Sequence, residues 1–169
     1  MEIFYIKLDE KNIKHLSAIE LKKLQSKIGY YIVKTIGKEH FSISDISIIK
    51  ENSKPRYKYS DIQFSITHSN LIVAAAFDNY AIGLDIEYMK NRDFEKLSKH
   101  YNINASDKNG FYKKWTNIEA EIKLQNNKKQ SYTTEIESNY MMTVVSSNPK
   151  SIIPKIIKLD LNINDIIYS

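Results

Sequence analysis

The sequence predicts an α+β protein, because its helix and strand patterns follow one another in an irregular order. A capping box at Ser17 opens a helical repeat, three apolar strand patterns are consecutive between residues 62 and 87, and a second helical stripe begins at Phe111. A doubly wound sheet would instead show regular alternation of strand and helix, so it is the less favoured architecture.

The composition excludes several classes of protein. The 169 residues contain no cysteine, which rules out disulfides, thiolate metal sites and cysteine nucleophiles. The longest apolar run, residues 71–77, is far shorter than the roughly 20 residues that cross a bilayer. The first residues, Met1 to Phe4, lack the pattern of a secretory signal peptide. We therefore expect a cytoplasmic protein without a membrane segment.

The net charge of +5 is concentrated in one region. Residues 11–58 hold ten lysines and Arg56 against four acidic residues, and the rest of the chain is slightly acidic. Such a surplus suits a phosphate-bearing ligand. A small basic nucleic-acid-binding module is an alternative interpretation, although the chain has neither an arginine cluster nor zinc-finger spacing.

The first part of the chain predicts one long helix and one strand. Apolar residues recur every three or four positions from residue 17 to 36, and we expect Gly37 to end this helix. Alternating apolar and polar residues predict a strand over 41–49, and Lys54-Pro55-Arg56 predicts a loop after it.

Three consecutive strands are predicted over 62–67, 71–77 and 81–87. Turn-forming residues separate them, so an antiparallel meander is the simplest arrangement. The middle strand is apolar throughout, which indicates burial on both faces.

The second half predicts two helices and three more strands. A short helix over 94–101 has Asp93 as its cap, and a polar loop over 102–110 leads to a helix from residue 111 to about 125. The further strands are predicted over 132–137, 140–146 and near 155–161.

Gly83-Leu84-Asp85-Ile86-Glu87 is the sharpest local feature. Residues two apart on a strand project to one face, so Asp85 and Glu87 point together while Leu84 and Ile86 face the core. Adjacent carboxylates are tolerated when solvent separates them or when a cation lies between them. Oxygen ligands alone favour a hard ion, Mg²⁺ above all where phosphates complete its shell. A solvated strand edge is the alternative.

Other polar residues admit ordinary interpretations when each is taken alone. Glu119 and Lys123 lie one helical turn apart, where a surface ion pair is worth only about 0.3–0.5 kcal/mol. His68, at a predicted strand end, suits either a phosphate donor or a turn residue. The histidines lack zinc-ligand spacing, and no Gly-x-Ser-x-Gly elbow is present.

Taken in order, these segments resemble the motif series of the 4′-phosphopantetheinyl transferase superfamily, and the surfactin-synthetase-activating type is the most similar. They are Ser53-Lys54-Pro55, then Phe64-Ser65-Ile66-Thr67-His68-Ser69, then Ile82-Gly83-Leu84-Asp85-Ile86-Glu87, then Phe111-Tyr112-Lys113-Lys114-Trp115 leading to Glu119 and Lys123. The resemblance implies a phosphopantetheinyl-transferase-like fold of two pseudo-symmetric α+β lobes, residues 1–80 and 81–169. The second lobe would hold the metal and catalytic motifs, and the apparent duplication favours a monomer.

The same resemblance implies a holo-acyl-carrier-protein synthase activity. Such enzymes move the 4′-phosphopantetheine arm of coenzyme A to a serine of an apo acyl or peptidyl carrier protein. By resemblance, Mg²⁺ would be bound by Asp85, Glu87 and Glu119. Glu119 would also act as the catalytic base, and Lys123 would face the coenzyme A diphosphate.

The nucleotide and its 3′-phosphate would, by the same resemblance, lie against Lys54, Thr67 and His68. The sequence departs from the family pattern at several places, one of which is Thr67, where the family has a serine before the histidine. Ile118 stands where the family has a lysine, and Leu124-Gln125-Asn126-Asn127 replaces a glycine-rich segment. These departures leave a further alternative, a degenerate member that binds coenzyme A or a carrier protein without transfer.

Overall fold

The computed structural model describes residues 1–126, 129–160 and 166. The described elements are β1 (Glu2–Lys7), α1 (Glu10–Ile13), α2 (Ala18–Glu39), β2 (Ile48–Glu51), β3 (Lys54–Tyr57), β4 (Gln63–Ser69), β5 (Ile72–Asp78), β6 (Ile82–Tyr88), α3 (Phe94–Tyr101), α4 (Lys108–Leu124), β7 (Gln130–Ile136), β8 (Tyr140–Ser146) and β9 (Lys155–Lys158). The predicted α+β class is therefore confirmed. Within the described ranges, no helix combines the length and apolarity that a membrane crossing requires.

Two sheets form the centre of the molecule. The first has the strand order β4-β5-β1-β9, in which β9 is parallel to β1 and the other pairs are antiparallel. The second is antiparallel, with the order β6-β8-β7. The division into lobes at residue 80 stays a prediction, and β9 pairs with β1 from the opposite end of the chain.

The core is built in four layers, which are α2, the first sheet, the second sheet and α4. On one face of β5, Val73 and Phe77 pack with Ile32 of α2. On its other face, Ala74 packs in a cluster with Leu84 of the second sheet, which is itself covered by α4. All seven residues of β5 are buried, which confirms the prediction for this strand.

The predicted meander is wrong at its third strand. β4 and β5 pair as expected, but β6 leaves β5 and pairs with β8. The reason is that β1, which the sequence patterns did not reveal, takes the free edge of β5. Its residues Ile3 to Ile6 are all buried, so β1 lacks the alternation that marks a half-exposed strand.

The capping box of α2 is confirmed. Ser17 N donates to Glu20 Oε2 at 2.8 Å, and Glu20 N donates to Ser17 Oγ at 3.3 Å. Gly37, however, does not end the helix, which continues to Glu39. Gly37 instead gives room to Tyr57, whose hydroxyl donates to Val33 O at 2.6 Å and would collide with a side chain at position 37.

The strand predicted over 41–49 and the loop predicted at 54–56 are also wrong. The strand β2 begins only at Ile48, and Lys54–Tyr57 forms β3, which pairs with it. Asn52 and Ser53 have φ values of 48° and 67°, the backbone of a tight two-residue hairpin turn. Pro55 is tolerated because both strands of this ribbon are edges.

The elements of the second half agree closely with the sequence patterns. The helix Phe94–Tyr101 has Asp93 as its cap, and β8 covers Tyr140–Ser146 as predicted. α4 begins at Lys108, three residues earlier than expected, because Asp107 caps it by accepting from Gly110 N. Leu161, the predicted end of the last strand, and Asn127 lie outside the described residues.

Candidate functional site

The candidate site lies where the edges of the two sheets meet. β4 and β6 belong to different sheets, and three hydroxyl side chains at alternate positions of β4 face β6. These side chains are Ser65, Thr67 and Ser69, and we refer to their contacts with residues 84–88 as the hydroxyl seam. Ser65 Oγ accepts from Leu84 N at 3.0 Å. The seam therefore fixes the strand that bears both predicted carboxylates.

Asp85 is nearly inaccessible, with only 5% of its surface exposed. Its Oδ1 accepts from Thr67 Oγ1 at 3.2 Å and from Lys123 Nζ at 2.7 Å, whereas Oδ2 is buried and has no hydrogen-bond partner among the described residues. Burial raises the pKa of Asp85 to about 6; Lys123 opposes this rise, and the charges of Glu87 and Glu119 add to it. Asp85 is thus a buried carboxyl with one uncommitted oxygen.

The two other predicted metal ligands lie around Asp85. Glu87 follows it on β6 and accepts from Ser69 Oγ at 2.9 Å, and Glu119 approaches from α4. Across the described residues, no three His, Asp or Glu side chains are already grouped as a metal site. The donor set nevertheless suits a hard cation, since it consists of oxygen atoms and includes the uncommitted Oδ2 of Asp85.

Lys123 does not form the ordinary helical ion pair with Glu119. Its ammonium instead donates to Asp85 Oδ1, to Leu84 O at 3.0 Å and to Thr67 Oγ1 at 3.3 Å. Gly83 explains this reach, because a side chain there would collide with the carbonyl of Ala120. The glycine lets α4 lie close against β6 and so brings Lys123 over Asp85.

A pocket of about 360 Å³ opens beside Lys123. Three basic side chains from three elements line it: Lys54 of β3, His68 of β4 and Lys123 of α4. Burial lowers the pKa of Lys54, whose Nζ donates to Ile82 O at 2.8 Å. Burial also lowers the pKa of His68, and the charge of Lys123 adds to this effect. The structure thus brings three of the predicted ligand-binding residues into one cavity.

Thr67 does not line this pocket, although its Oγ1 accepts from Lys123 Nζ at 3.3 Å. It is 4% exposed and faces Asp85 across the hydroxyl seam, since neighbouring residues of a strand point to opposite faces. Its observed hydrogen bonds are with Lys123 and with Asp85, which together with Glu87 and Glu119 we call the acidic cluster. Its expected contact with the nucleotide stays a prediction.

A second pocket, of about 430 Å³, contains residues that the sequence reasoning missed. Glu87 and Ser69 line it together with Lys90, Arg92 and the aromatic side chain of Trp115. Lys90 and Arg92 follow Glu87 closely in the sequence. This closeness to a predicted metal ligand is the signal that could have identified them as site residues. The two pockets adjoin along β4, where His68 lines the first and Ser69 lines the second.

No family model matches this chain. A curated protein of Haemophilus influenzae, named "Putative 4'-phosphopantetheinyl transferase", is 28% identical over 120 residues, and the match covers 63% of this chain and 51% of the relative. The chain thus spans about half the length of the curated relative that it matches. The match confirms that this chain resembles the 4′-phosphopantetheinyl transferase superfamily.

Proposed function

We propose that this protein transfers the 4′-phosphopantetheine arm of coenzyme A to a serine of an apo acyl or peptidyl carrier protein. The observation that supports it best is the position of Lys123. It lines the pocket that also contains Lys54 and His68, which we call the basic pocket, and it contacts Asp85 of the acidic cluster. A site for a polyanion and a site for a cation therefore adjoin, as a metal-assisted reaction of a diphosphate requires.

The basic pocket would bind the phosphates of coenzyme A through Lys54, His68 and Lys123. Asp85, Glu87 and Glu119 would hold Mg²⁺, which when bound neutralises charge on the diphosphate. The hydroxyl oxygen of the carrier serine would attack the phosphorus that bears the pantetheine arm, and Glu119 would accept the proton of that hydroxyl. The phosphoanhydride bond breaks, adenosine 3′,5′-bisphosphate leaves, and Lys123 would stabilise the negative charge that develops on it.

We assign the approach of the carrier serine to the second pocket. It reaches Glu87, and none of the described residues lines both this pocket and the basic pocket, so the attacking and leaving groups would occupy separate spaces. In-line displacement at phosphorus needs such a separation. Lys90 and Arg92 would attract an acidic partner surface.

A protein that binds coenzyme A or a carrier without transfer is the second candidate. The contact between Lys123 and Asp85 favours it, because a cation of the chain already neutralises part of the acidic cluster. A nucleic-acid-binding module would instead leave the carboxylates without a chemical role.

Incubation with coenzyme A, Mg²⁺ and a panel of apo carrier proteins tests the proposal, with intact mass reporting the added arm. We expect transfer by the wild type and none by Asp85→Ala or Glu119→Ala. Glu121→Ala is the matched control, since Glu121 lies on the same helix but pairs with Lys129. Coenzyme A binding without any mass increase would support the second candidate. Salt-dependent duplex binding without a coenzyme A signal would overturn both.

A further inference from the structure

We infer that Ser69 is a positioning residue that fixes the carboxylate of Glu87 for the cation. This inference rests on the proposed function. Ser69 Oγ accepts the backbone N–H of Tyr88 at 3.0 Å and donates to Glu87 Oε2 at 2.9 Å. One hydroxyl therefore connects the backbone of β6 to a side chain of the acidic cluster.

The chemistry of the hydroxyl determines the direction of these bonds. A serine hydroxyl has one proton and two lone pairs, and a backbone amide can only donate. The N–H of Tyr88 must therefore use a lone pair of Ser69, which leaves the single proton of Ser69 for Glu87. Oε2 of Glu87 is held in this way, and Oε1 is left to meet the cation.

Ser65 provides an internal comparison on the same strand. It also accepts a backbone N–H of β6, that of Leu84, at 3.0 Å, but in residues 1–126 and 129–160 no carboxylate forms a hydrogen bond with it. Asp85 is held by two groups, Thr67 and Lys123. Within the same residues, Glu87 has the hydroxyl of Ser69 as its one hydrogen-bond donor.

A glutamate side chain has three rotatable bonds, so an unrestrained Glu87 would have to be ordered each time a cation binds. Groups that orient a metal ligand commonly change metal affinity by about 10- to 100-fold when removed. We expect the lower end for Ser69, because it orients a single ligand of the three.

Titration of the protein with Mn²⁺, with the free ion measured by electron paramagnetic resonance, determines the metal affinity directly and without an activity assay. Ser69→Ala should raise the Mn²⁺ Kd about 10-fold, Ser69→Thr should restore most of the affinity, and Ser65→Ala should stay near wild type. In a Glu87→Ala background, Ser69→Ala should have no further effect, because the group that it orients is gone.

Equal losses in Ser65→Ala and Ser69→Ala, or a persistent Ser69→Ala effect without Glu87, would overturn the inference. A wild type that binds Mn²⁺ and transfers the arm while Ser69→Ala binds Mn²⁺ normally refutes this inference alone. A wild type that neither binds Mn²⁺ nor transfers the arm refutes the proposed function and this inference together.

Discussion

The ammonium of Lys123 lies 2.7 Å from Oδ1 of Asp85, so one side chain links the basic pocket to the acidic cluster. A bound cation and Lys123 would compete for the negative charge of the same carboxylate. A ligand that draws Lys123 toward its phosphates would therefore favour cation binding, and the coupling must be reciprocal.

Lys123→Met should tighten Mn²⁺ binding in the absence of coenzyme A and weaken coenzyme A binding. Removing a competing charge at this distance should lower the Mn²⁺ Kd roughly 5- to 10-fold. Calorimetry at pH 8, where Asp85 is ionised, measures both affinities. Lys54→Met is the control, since Lys54 lines the same pocket but donates to the carbonyl of Ile82. An equal gain in both variants would show a general field effect instead of competition at Asp85.

The metal-free protein should lose stability as the pH rises through the titration of Asp85. Burial raises the pKa of this carboxyl from 3.8 to about 6, so the native state binds its proton more tightly than the unfolded chain does. The free energy of unfolding should therefore decrease as the pH rises from 3.8 to about 6, and it should stay low at higher pH.

Asp85→Asn isolates this effect, because other titrating groups cancel when the two proteins are compared. The variant should be more stable than the wild type at pH 8, by up to about 3 kcal/mol, and nearly equal to it below pH 3.8. Urea denaturation in the presence of a chelator measures the difference. A difference that does not change with pH would contradict the burial of a charged Asp85.

Gly83→Ala should destabilise the protein by about 1–3 kcal/mol, because the new methyl group meets the backbone carbonyl of Ala120, which cannot rotate away. Thermal denaturation measures the loss. Gly110→Ala is the control, since Gly110 lies on α4 and the nearest atom to its added carbon is a carboxylate oxygen of Asp107, 3.3 Å away. We expect little change there, and equal losses would argue against close contact of α4 with β6 as the cause.

Ile118→Lys should leave transfer activity undiminished. Ile118 is 39% exposed on α4, so a lysine can extend into solvent, and it restores the residue that the family pattern has at this position. The free energy of unfolding should change by no more than about 0.5 kcal/mol. Transfer rates followed by intact mass would reveal a large loss, which would mean that this surface of α4 contacts a substrate.

Local patterns predicted the local parts of the fold. The capping box of Ser17 and the cap of Asp93 depend on residues three apart, and both are present. The pairing of β6 could not be predicted, because it depends on β1, whose buried residues show no alternation. A continuous apolar tetrapeptide gives no periodic signal.

The candidate site was predictable in its residues but not in its contacts. Helical spacing placed Lys123 beside Glu119, whereas the close approach of α4 to Gly83 places it on Asp85. The hydroxyl seam was also hidden, because Ser65 and Ser69 act across two sheets that the sequence suggested would be one. Tertiary contacts between distant segments decided both outcomes.

β1 lies between β5 and β9, so during synthesis it can complete its pairing only after both of these later strands have been made. This strand leaves the ribosome before both of its neighbours, and β9 is made near the end of the described chain. Each of these pairings brings together segments that are far apart in the sequence. Such long-range pairing slows folding, because the entropy of the intervening chain must be lost before the contacts form. Until β9 has been synthesised, one edge of β1 is unpaired and can pair with other chains. A chain truncated before residue 155 should therefore aggregate more readily.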